Sequence, residues 1–363
     1  MDSSQRLLPA TEPVSLLDQH GIPLSAPGYT MPENERLLRA FDGLVTARRL
    51  NDQAYALVRQ GRLAVYPSSH GQEACQVAAA QVLSDEDWLF PTYRDTACVI
   101  ARGIDPIEVL TLFKGDWHTG YDPKAHKVAP QATPLATQLL HATGVAHAAT
   151  LRGEPTVVMA LCGDGATSEG DFHEALNFAA VFRAPVVFFI QNNEYAISVP
   201  LARQSAAPSL AHKGIGYGIP GERVDGNDIA ALLDVLGGAV ERARAGEGPQ
   251  LVEAHTYRMQ AHTNADDETR YRDPSEVAEW EPKDPLRRAE TYLRTQGALD
   301  DAMLERFREE AEAVAARMRE ILNQEPPRDP SALFAHVYSE PTQQLRAQYE
   351  LLREELQREE VTV

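Results

Sequence analysis

The chain has 363 residues, 43% of them hydrophobic, which is enough apolar material for one large α/β domain or two smaller ones and excludes a disordered polymer. Asp and Glu number 53 against 34 Lys and Arg, and the net charge of −19 argues against a nucleic-acid or anionic-membrane surface, so an anionic ligand has to be met by local donors. The apolar runs are strand-length, far short of the roughly 20 residues that span a bilayer.

Residues 1–33 are rich in Pro, Ser and polar side chains, with one short apolar piece at Val14–Leu17. They read as an extended arm that packs against something larger, a second subunit being one partner. The opening MDSSQRLLPATEP has no apolar segment of the kind a secretory signal or anchor needs, so a cytoplasmic location is expected. From Glu33 to Gln60 the positions Leu37, Leu38, Phe41, Leu44 and Val45 fall on one helical stripe. Tyr66-Pro67-Ser68-Ser69-His70-Gly71-Gln72-Glu73 then breaks the chain and restarts a helix, with Ser69 and Gln72 spaced as a capping box.

Phe90-Pro91-Thr92-Tyr93-Arg94-Asp95 follows an acidic turn, and a Tyr-Arg pair by itself is ordinarily packed surface. Residues 114–133 show no periodicity, and a loop of that length inside a compact domain is usually functional or disordered. Ala132-Thr133-Pro134-Leu135-Ala136-Thr137-Gln138 reads as a helix N-terminus with Thr133 as cap and Pro134 in the first turn. His141 and His147 in that helix face different sides and are assigned no metal.

The stretch Gly163–Asn193 carries the chemistry. One β-type run, Thr156–Leu161, feeds into Gly163-Asp164-Gly165, and a second, Val186–Ile190, feeds into Gln191-Asn192-Asn193. Phe172, Leu176, Ala179 and Phe182 recur between them at helical spacing, so the unit is strand, turn, helix, strand. A crossover of this length makes the strands parallel, with both C-terminal ends on the sheet edge where ligands bind in open α/β folds. Asp164 offers a carboxylate and Asn193 an amide oxygen, both hard ligands, while Gly163 and Gly165 let a bulky group approach the backbone. Together these could hold magnesium against a diphosphate, and a helix starting near Ser168 would aim its amide-rich end at the same place. Either tripeptide alone is an ordinary turn; it is their pairing, each after its own strand, that carries the reading. Cys162, ending the first strand, belongs in the core, and with Cys75 and Cys98 makes an odd, scattered set that fits a reducing compartment and no structural zinc.

Gly216-Tyr217-Gly218-Ile219-Pro220-Gly221 matches the dinucleotide pattern literally, but no strand precedes it and Arg223–Asp228 reads as a short strand and turn. A helix over about Asp228–Ala245 and a strand over Gln250–Thr256 follow, then a loop from Arg258 to Ser275 with few apolar anchors. From Asp284 amphipathic helices alternate with breaks at Pro326, Pro327 and Pro330, ending in a segment from Gln343 to Glu360 with Leu345, Tyr349, Leu352 and Leu356 on one stripe.

The segment GDGATSEGDFHEALNFAAVFRAPVVFFIQNNEYAIS resembles the alpha subunit of the thiamine-diphosphate-dependent E1 component of 2-oxo acid dehydrogenase complexes, with recognisable blocks from about Asp42 to Trp280 and a looser likeness to the C-terminus. The resemblance implies a mostly parallel α/β sheet flanked by helices, with an arm at 1–33, a thiamine-diphosphate-binding domain at 34–325 and a C-terminal helical extension at 326–363. It implies magnesium on Asp164, Asn193 and the Tyr195 carbonyl, with Gly163, Gly165 and Ala166 against the cofactor. By the same resemblance Arg94 grips a diphosphate oxygen, Tyr93 lines the thiamine side, Thr133 and Leu135 lie along the aminopyrimidine, and His262 reaches the diphosphate and the reacting groups as the catalytic residue. Gln191 stands where branched-chain relatives often place an Arg, a weaker grip at that point. Pro134, Thr137 and Gln138 fall in the segment that surrounds a structural potassium ion, where Ala132 supplies no hydroxyl. Thr263 and Asp273 fall at regulatory phosphoserine positions of animal branched-chain enzymes; Asp273 has no hydroxyl, and kinase control is not expected.

The implied reaction is oxidative decarboxylation of a 2-oxo acid and acyl transfer to a lipoyl group on an E2 protein. The carboxylate that protonates the aminopyrimidine belongs to a separate beta subunit in this family, so an α2β2 assembly is expected. The wording of SEGD and of Tyr195-Ala196-Ile197-Ser198 looks more like branched-chain enzymes than pyruvate enzymes, with an acetoin-cleaving relative more distant. A nicotinamide-dependent dehydrogenase built on the Gly216 segment and a non-catalytic binding subunit are the readings from other classes.

Overall fold

The structure is a computed structural model that describes residues 7–115, 119–324 and 329–360. The arm leads into α1 (Asn34–Arg59), followed by α2 (Glu73–Gln81), β1 (Trp88–Phe90), α3 (Thr96–Ala101) and the short α4 (Pro106–Leu110) and α5 (Pro123–His126). Next come α6 (Thr137–Arg152), β2 (Val158–Gly163), α7 (Gly170–Phe182) and β3 (Val186–Asn192). The strands β4 (Tyr195–Ala196) and β5 (Val199–Pro200) form a small antiparallel hairpin ahead of β6 (Gly221–Asp225), α8 (Ile229–Arg244) and β7 (Gln250–His255). The helices α9 (Pro274–Trp280), α10 (Pro285–Thr295), α11 (Asp301–Leu322), α12 (Ala332–Ala335) and α13 (Gln343–Glu360) complete the described chain.

Five strands pair in the order β1-β2-β3-β7-β6, every pair parallel. Their sequences dictate this. Val186-Val187-Phe188-Phe189-Ile190 is β-branched and aromatic throughout, as a strand buried on both faces requires. Alternate residues therefore enter two cores. Val187 and Phe189 join Met159 and Leu161 on one face, under α1, α2, α8 and α10, while Val186, Phe188 and Ile190 join Ala160 and Cys162 on the other, under α6 and α7. The register opposes Gly163 to Gln191, so the Gly-Asp-Gly turn and the Asn192-Asn193 pair leave the sheet side by side.

Before α1 the arm packs on its own chain. Val14 bridges to Val224 of β6 in parallel, and the amides of Leu16 and Leu17 both donate to Asp228 Oδ2 at 2.6 Å. The chain divides into a main unit reaching to Ile321 and a second from Leu322 onward. In the second unit Leu345, Tyr349, Leu352 and Leu356 are the half-buried stripe of an otherwise exposed helix, and the Phe334 and Tyr349 rings lie 5.4 Å apart. The expected boundary at 325–326, with Pro326 and Pro327, lies outside the described residues. Among the described residues no helix is long and apolar enough to cross a membrane.

Several local expectations are corrected. β2 runs two residues further along the chain than Thr156–Leu161, because the ladder with β3 continues to Gly163. A 3-10 turn, Asp164–Ser168, precedes α7, which starts at Gly170 with Glu169 as its cap. Thr133 does not cap a helix: α6 starts at Thr137 after Ala136, and 133–136 are a bend. Ser69 and Gln72 form no capping box, since the Ser69 hydroxyl donates to the Arg94 carbonyl and Gln72 turns inward. The segment 114–133 is not without structure, because it carries α5, capped by the Asp122 side chain.

Candidate active site

At the C-terminal edge of β2 and β3 the side chains converge. Asp164 is 1% exposed, its Oδ2 accepts a 2.7 Å hydrogen bond from Gln204 Nε2, and among the described residues it forms no ion pair. Burial pushes its carboxyl above the usual range. A buried carboxylate without a cationic partner is the electrostatic condition that a metal ion relieves. Asn193, also buried, donates from Nδ2 to Gln72 Oε1 at 2.8 Å, and its Oδ1 receives the Tyr195 amide at 3.3 Å. Among the described residues no three His, Cys, Asp or Glu side chains group as metal ligands.

The turn that carries Tyr195 is strained. Glu194 has φ 72° and Ile197 φ 56°, conformations costly for residues with a Cβ, most of all a β-branched one. Two contacts hold it. Glu194 pairs with His255 at 2.6 Å, and Arg258, 1% exposed, donates to the carbonyls of Ile197 (2.8 Å) and Tyr195 (3.3 Å) and to the Tyr271 hydroxyl (2.8 Å).

Facing this edge, Arg94 is 5% exposed and donates through Nη1 to the Ser68 carbonyl at 2.8 Å and through Nη2 to the His262 carbonyl at 3.0 Å. The same Nη2 lies 3.0 Å from His262 Nδ1. A guanidinium only donates, so Nδ1 accepts and the neutral ring carries its proton on Nε2. Burial, followed by the charges of Arg94 and Arg258, lowers the His262 pKa to about 4. The Tyr93 ring packs 6.1 Å from the His262 ring and 5.6 Å from the Arg94 guanidinium carbon. The backbone amide of His262 is tied to Asp266 Oδ2 at 2.8 Å.

A cavity of about 490 Å³ lies between these groups. Tyr93, Arg94, Thr133, Leu135, Gly163, Asp164, Gly165, Ala166, Gln191, Asn193, Tyr195 and His262 all line it, together with the apolar side chains of Val65, Phe113 and Ile197. A Cβ on Gly163 would meet nothing within 4 Å, whereas one on Gly165 would come within 2.7 Å of the Ala196 Cβ. Gly163 thus borders open space and Gly165 a tight chain crossing. Pro134, Thr137 and Gln138 are not among the lining residues. The Thr137 hydroxyl donates to Asp171 at 2.8 Å, and Gln138 Nε2 donates to the Leu161 carbonyl at 2.9 Å, which leaves both side-chain oxygens as acceptors.

Sequence reasoning missed Gln72, Asp95, Gln204 and Arg258. Asp95 directly follows the Tyr93-Arg94 pair and was within reach of the same inspection. Gln204 and Arg258 sit in loops without periodicity, and their partners are distant in sequence, so no local pattern marks them.

The chain matches the protein-family model described as "Dehydrogenase E1 component" over residues 42–330. It is 48% identical over 348 residues to the 3-methyl-2-oxobutanoate dehydrogenase subunit alpha of Mycobacterium tuberculosis, covering 96% of this chain and 95% of that protein. It is 39% identical over 345 residues to the pyruvate dehydrogenase E1 component subunit alpha of Staphylococcus aureus, covering 94% and 93%.

Proposed function

Because the chain belongs to the dehydrogenase E1 component family, we propose that it is the alpha-type partner in the thiamine-diphosphate-dependent oxidative decarboxylation of a branched-chain 2-oxo acid such as 3-methyl-2-oxobutanoate. The observation that carries the reading is the pairing of Asp164 and Asn193 at adjacent strand ends, in one cavity with Arg94 and His262. The more similar of the two relatives described above, named for 3-methyl-2-oxobutanoate, supports the branched-chain substrate.

In this reading the Asp164 carboxylate, Asn193 Oδ1 and the Tyr195 carbonyl would hold magnesium, whose hard oxygen preference they suit. Gly163 gives the diphosphate room beside the backbone, and Gly165 and Ala166 line the same cavity. Arg94 offers charge-assisted hydrogen bonds to its anionic end, and Tyr93, Thr133 and Leu135 border the ring system. Thiamine diphosphate, when bound, supplies the electron sink for breaking the bond to the carboxyl carbon. His262 stays neutral at physiological pH and presents a donor proton on Nε2 to the substrate's developing negative charge, the role of a catalytic residue. Val65, Phe113 and Ile197 would give a branched side chain apolar surface to pack on. The acceptor oxygens left on Thr137 and Gln138, with the Pro134 carbonyl, would be the ligands of a potassium ion.

The remaining parts are supplied in trans. We assign the carboxylate that activates the cofactor ring to a beta subunit in an α2β2 assembly, and the acyl acceptor to the lipoyl domain of an E2 protein. The test is co-expression with the beta subunit and comparison of 3-methyl-2-oxobutanoate with pyruvate, using an artificial electron acceptor. Preference for the branched substrate is expected, with no turnover by the chain alone. Preference for pyruvate would reassign the substrate, and full turnover by the isolated chain would overturn the shared site.

A further inference from the structure

The buried floor of the cavity holds four polar side chains in series. Asp95 is fully buried; its Oδ2 accepts from the amide (2.7 Å) and hydroxyl (2.8 Å) of Thr92, and its Oδ1 from Gln191 Nε2 (2.6 Å). Gln191 Oε1 in turn accepts from Gln72 Nε2 at 2.9 Å, and Gln72 Oε1 accepts from Asn193 Nδ2 at 2.8 Å. A third glutamine reinforces the same direction, because Gln76 Nε2 lies 3.4 Å from Gln191 Oε1.

Direction matters in such a chain. A primary amide has one donor end and one acceptor end of nearly equal size, so shape alone cannot tell which way it faces. A carboxylate only accepts. Burial raises the Asp95 pKa against the opposing donors from Thr92 and Gln191, and the geometry sets the direction: the Thr92 amide meets Oδ2 and the Gln191 amide nitrogen meets Oδ1, so Asp95 accepts in both bonds. With Asp95 as acceptor, Gln191 must point its nitrogen at it, Gln72 must point its nitrogen at Gln191, and Asn193 must point its nitrogen at Gln72. The orientation set at Asp95 thus arrives at Asn193 as an oxygen directed away from the relay.

We propose that Gln72 and Gln191 are positioning residues for the cation: the relay from Asp95 holds Asn193 with its oxygen, and not its N–H groups, toward the metal. This rests on the reading of Asn193 as a magnesium ligand. The polar groups that orient metal ligands typically contribute 10- to 100-fold to metal affinity. Gln191 also changes meaning. Both ends of its amide are engaged within the chain, so its use here is to transmit orientation to the metal ligand while it lines the cavity.

The test uses the chain assembled with its beta subunit and saturating thiamine diphosphate, with Mn²⁺ as the probe and free Mn²⁺ read by electron paramagnetic resonance. Gln72→Leu is expected to weaken Mn²⁺ binding about 10-fold. In an Asn193→Asp background, where both side-chain atoms are oxygen and need no orienting, Gln72→Leu is expected to change the Kd by less than about twofold, so that the two substitutions are coupled and not additive. If Gln72→Leu does not assemble, Gln191→Leu tests the next link with the same two backgrounds. Unchanged Mn²⁺ affinity in the Asn193 background overturns the relay, and so does equal weakening in both backgrounds, which marks general disruption. Asn193→Leu with wild-type Mn²⁺ affinity overturns the ligand reading on which the relay depends.

Discussion

Arg94 and His262 are joined twice: one guanidinium nitrogen lies 3.0 Å from both the ring Nδ1 and the backbone carbonyl of the histidine. The pair places a cation and a neutral donor at one wall of the cavity. It also fixes which ring nitrogen carries the proton, something the ring could not settle alone.

A pH signature follows. Burial and the adjacent guanidinium groups lower the His262 pKa to about 4, so between about pH 4 and the ordinary value near 6.5 the unfolded chain binds a proton that the folded chain does not. Stability therefore gains from His262 as pH rises through that window and loses it as pH falls. An NMR titration of the His262 ring should show a midpoint near 4, and Arg94→Met should raise it, with burial still keeping it below the ordinary value. A wild-type midpoint above 6 would contradict the contact.

Asp164 is predicted to trade stability for binding. Its ionised form is disfavoured by burial, so above its raised pKa the empty site is destabilised by the charge. Asp164→Asn is expected to leave the apo chain at least as stable in urea while weakening magnesium-dependent cofactor binding by at least the about 10- to 100-fold typical of groups that only orient a metal ligand. A variant less stable in urea that still binds with wild-type affinity would show that the carboxylate serves packing alone.

The two glycines of the turn should separate fold from function. Gly165→Ala forces its Cβ toward Ala196 and is expected to cost about 1–3 kcal/mol, the range for overpacking. Gly163→Ala meets open space and should stay within about 0.5 kcal/mol of wild type. Because that space is the cavity, Gly163→Ala should nevertheless weaken cofactor binding. Chemical denaturation beside a cofactor titration distinguishes the two, and identical profiles for both variants would refute the assignment.

Much of the frame was legible in the sequence because the signals were local. Val186 to Ile190 is a strand by composition, and Phe172, Leu176, Ala179 and Phe182 mark α7 by spacing. The pairing of Gly163-Asp164-Gly165 with Asn193 needed only the rule that parallel strands end on one edge. The failures share the opposite cause. Ser69 and Gln72 have the spacing of a cap, yet their hydrogen bonds go to Arg94, Gln191 and Asn193. Thr133 and Pro134 carry a helix-start signal, but Gln138 takes the Leu135 carbonyl and the helix begins at Thr137. Arg258 holds a strained turn more than 60 residues earlier in the chain, and a lone Arg after a strand carries no mark of that.

The arm offers a test of the fold itself. Asp228 accepts from the Leu16 and Leu17 amides while also capping α8 through Ala230 and Ala231, and Arg288 donates to the Leu17 and Asp18 carbonyls. Asp228→Ala strands two amides and removes a cap, and is expected to cost about 2–4 kcal/mol. Limited proteolysis should then cut near residues 12–20, where wild-type chain is protected. Equal protection in both would contradict the docking.

The central claim is that this chain binds the diphosphate and metal half of a shared cofactor site. Its most direct test is the unfolding free energy of the chain assembled with its beta subunit, with thiamine diphosphate and magnesium supplied separately and together. The two together at a hundredfold excess over Kd should stabilise the assembly by about 2.7 kcal/mol, with little effect from either alone and none in Asp164→Ala. Full stabilisation without magnesium, or an undiminished effect in Asp164→Ala, would contradict it.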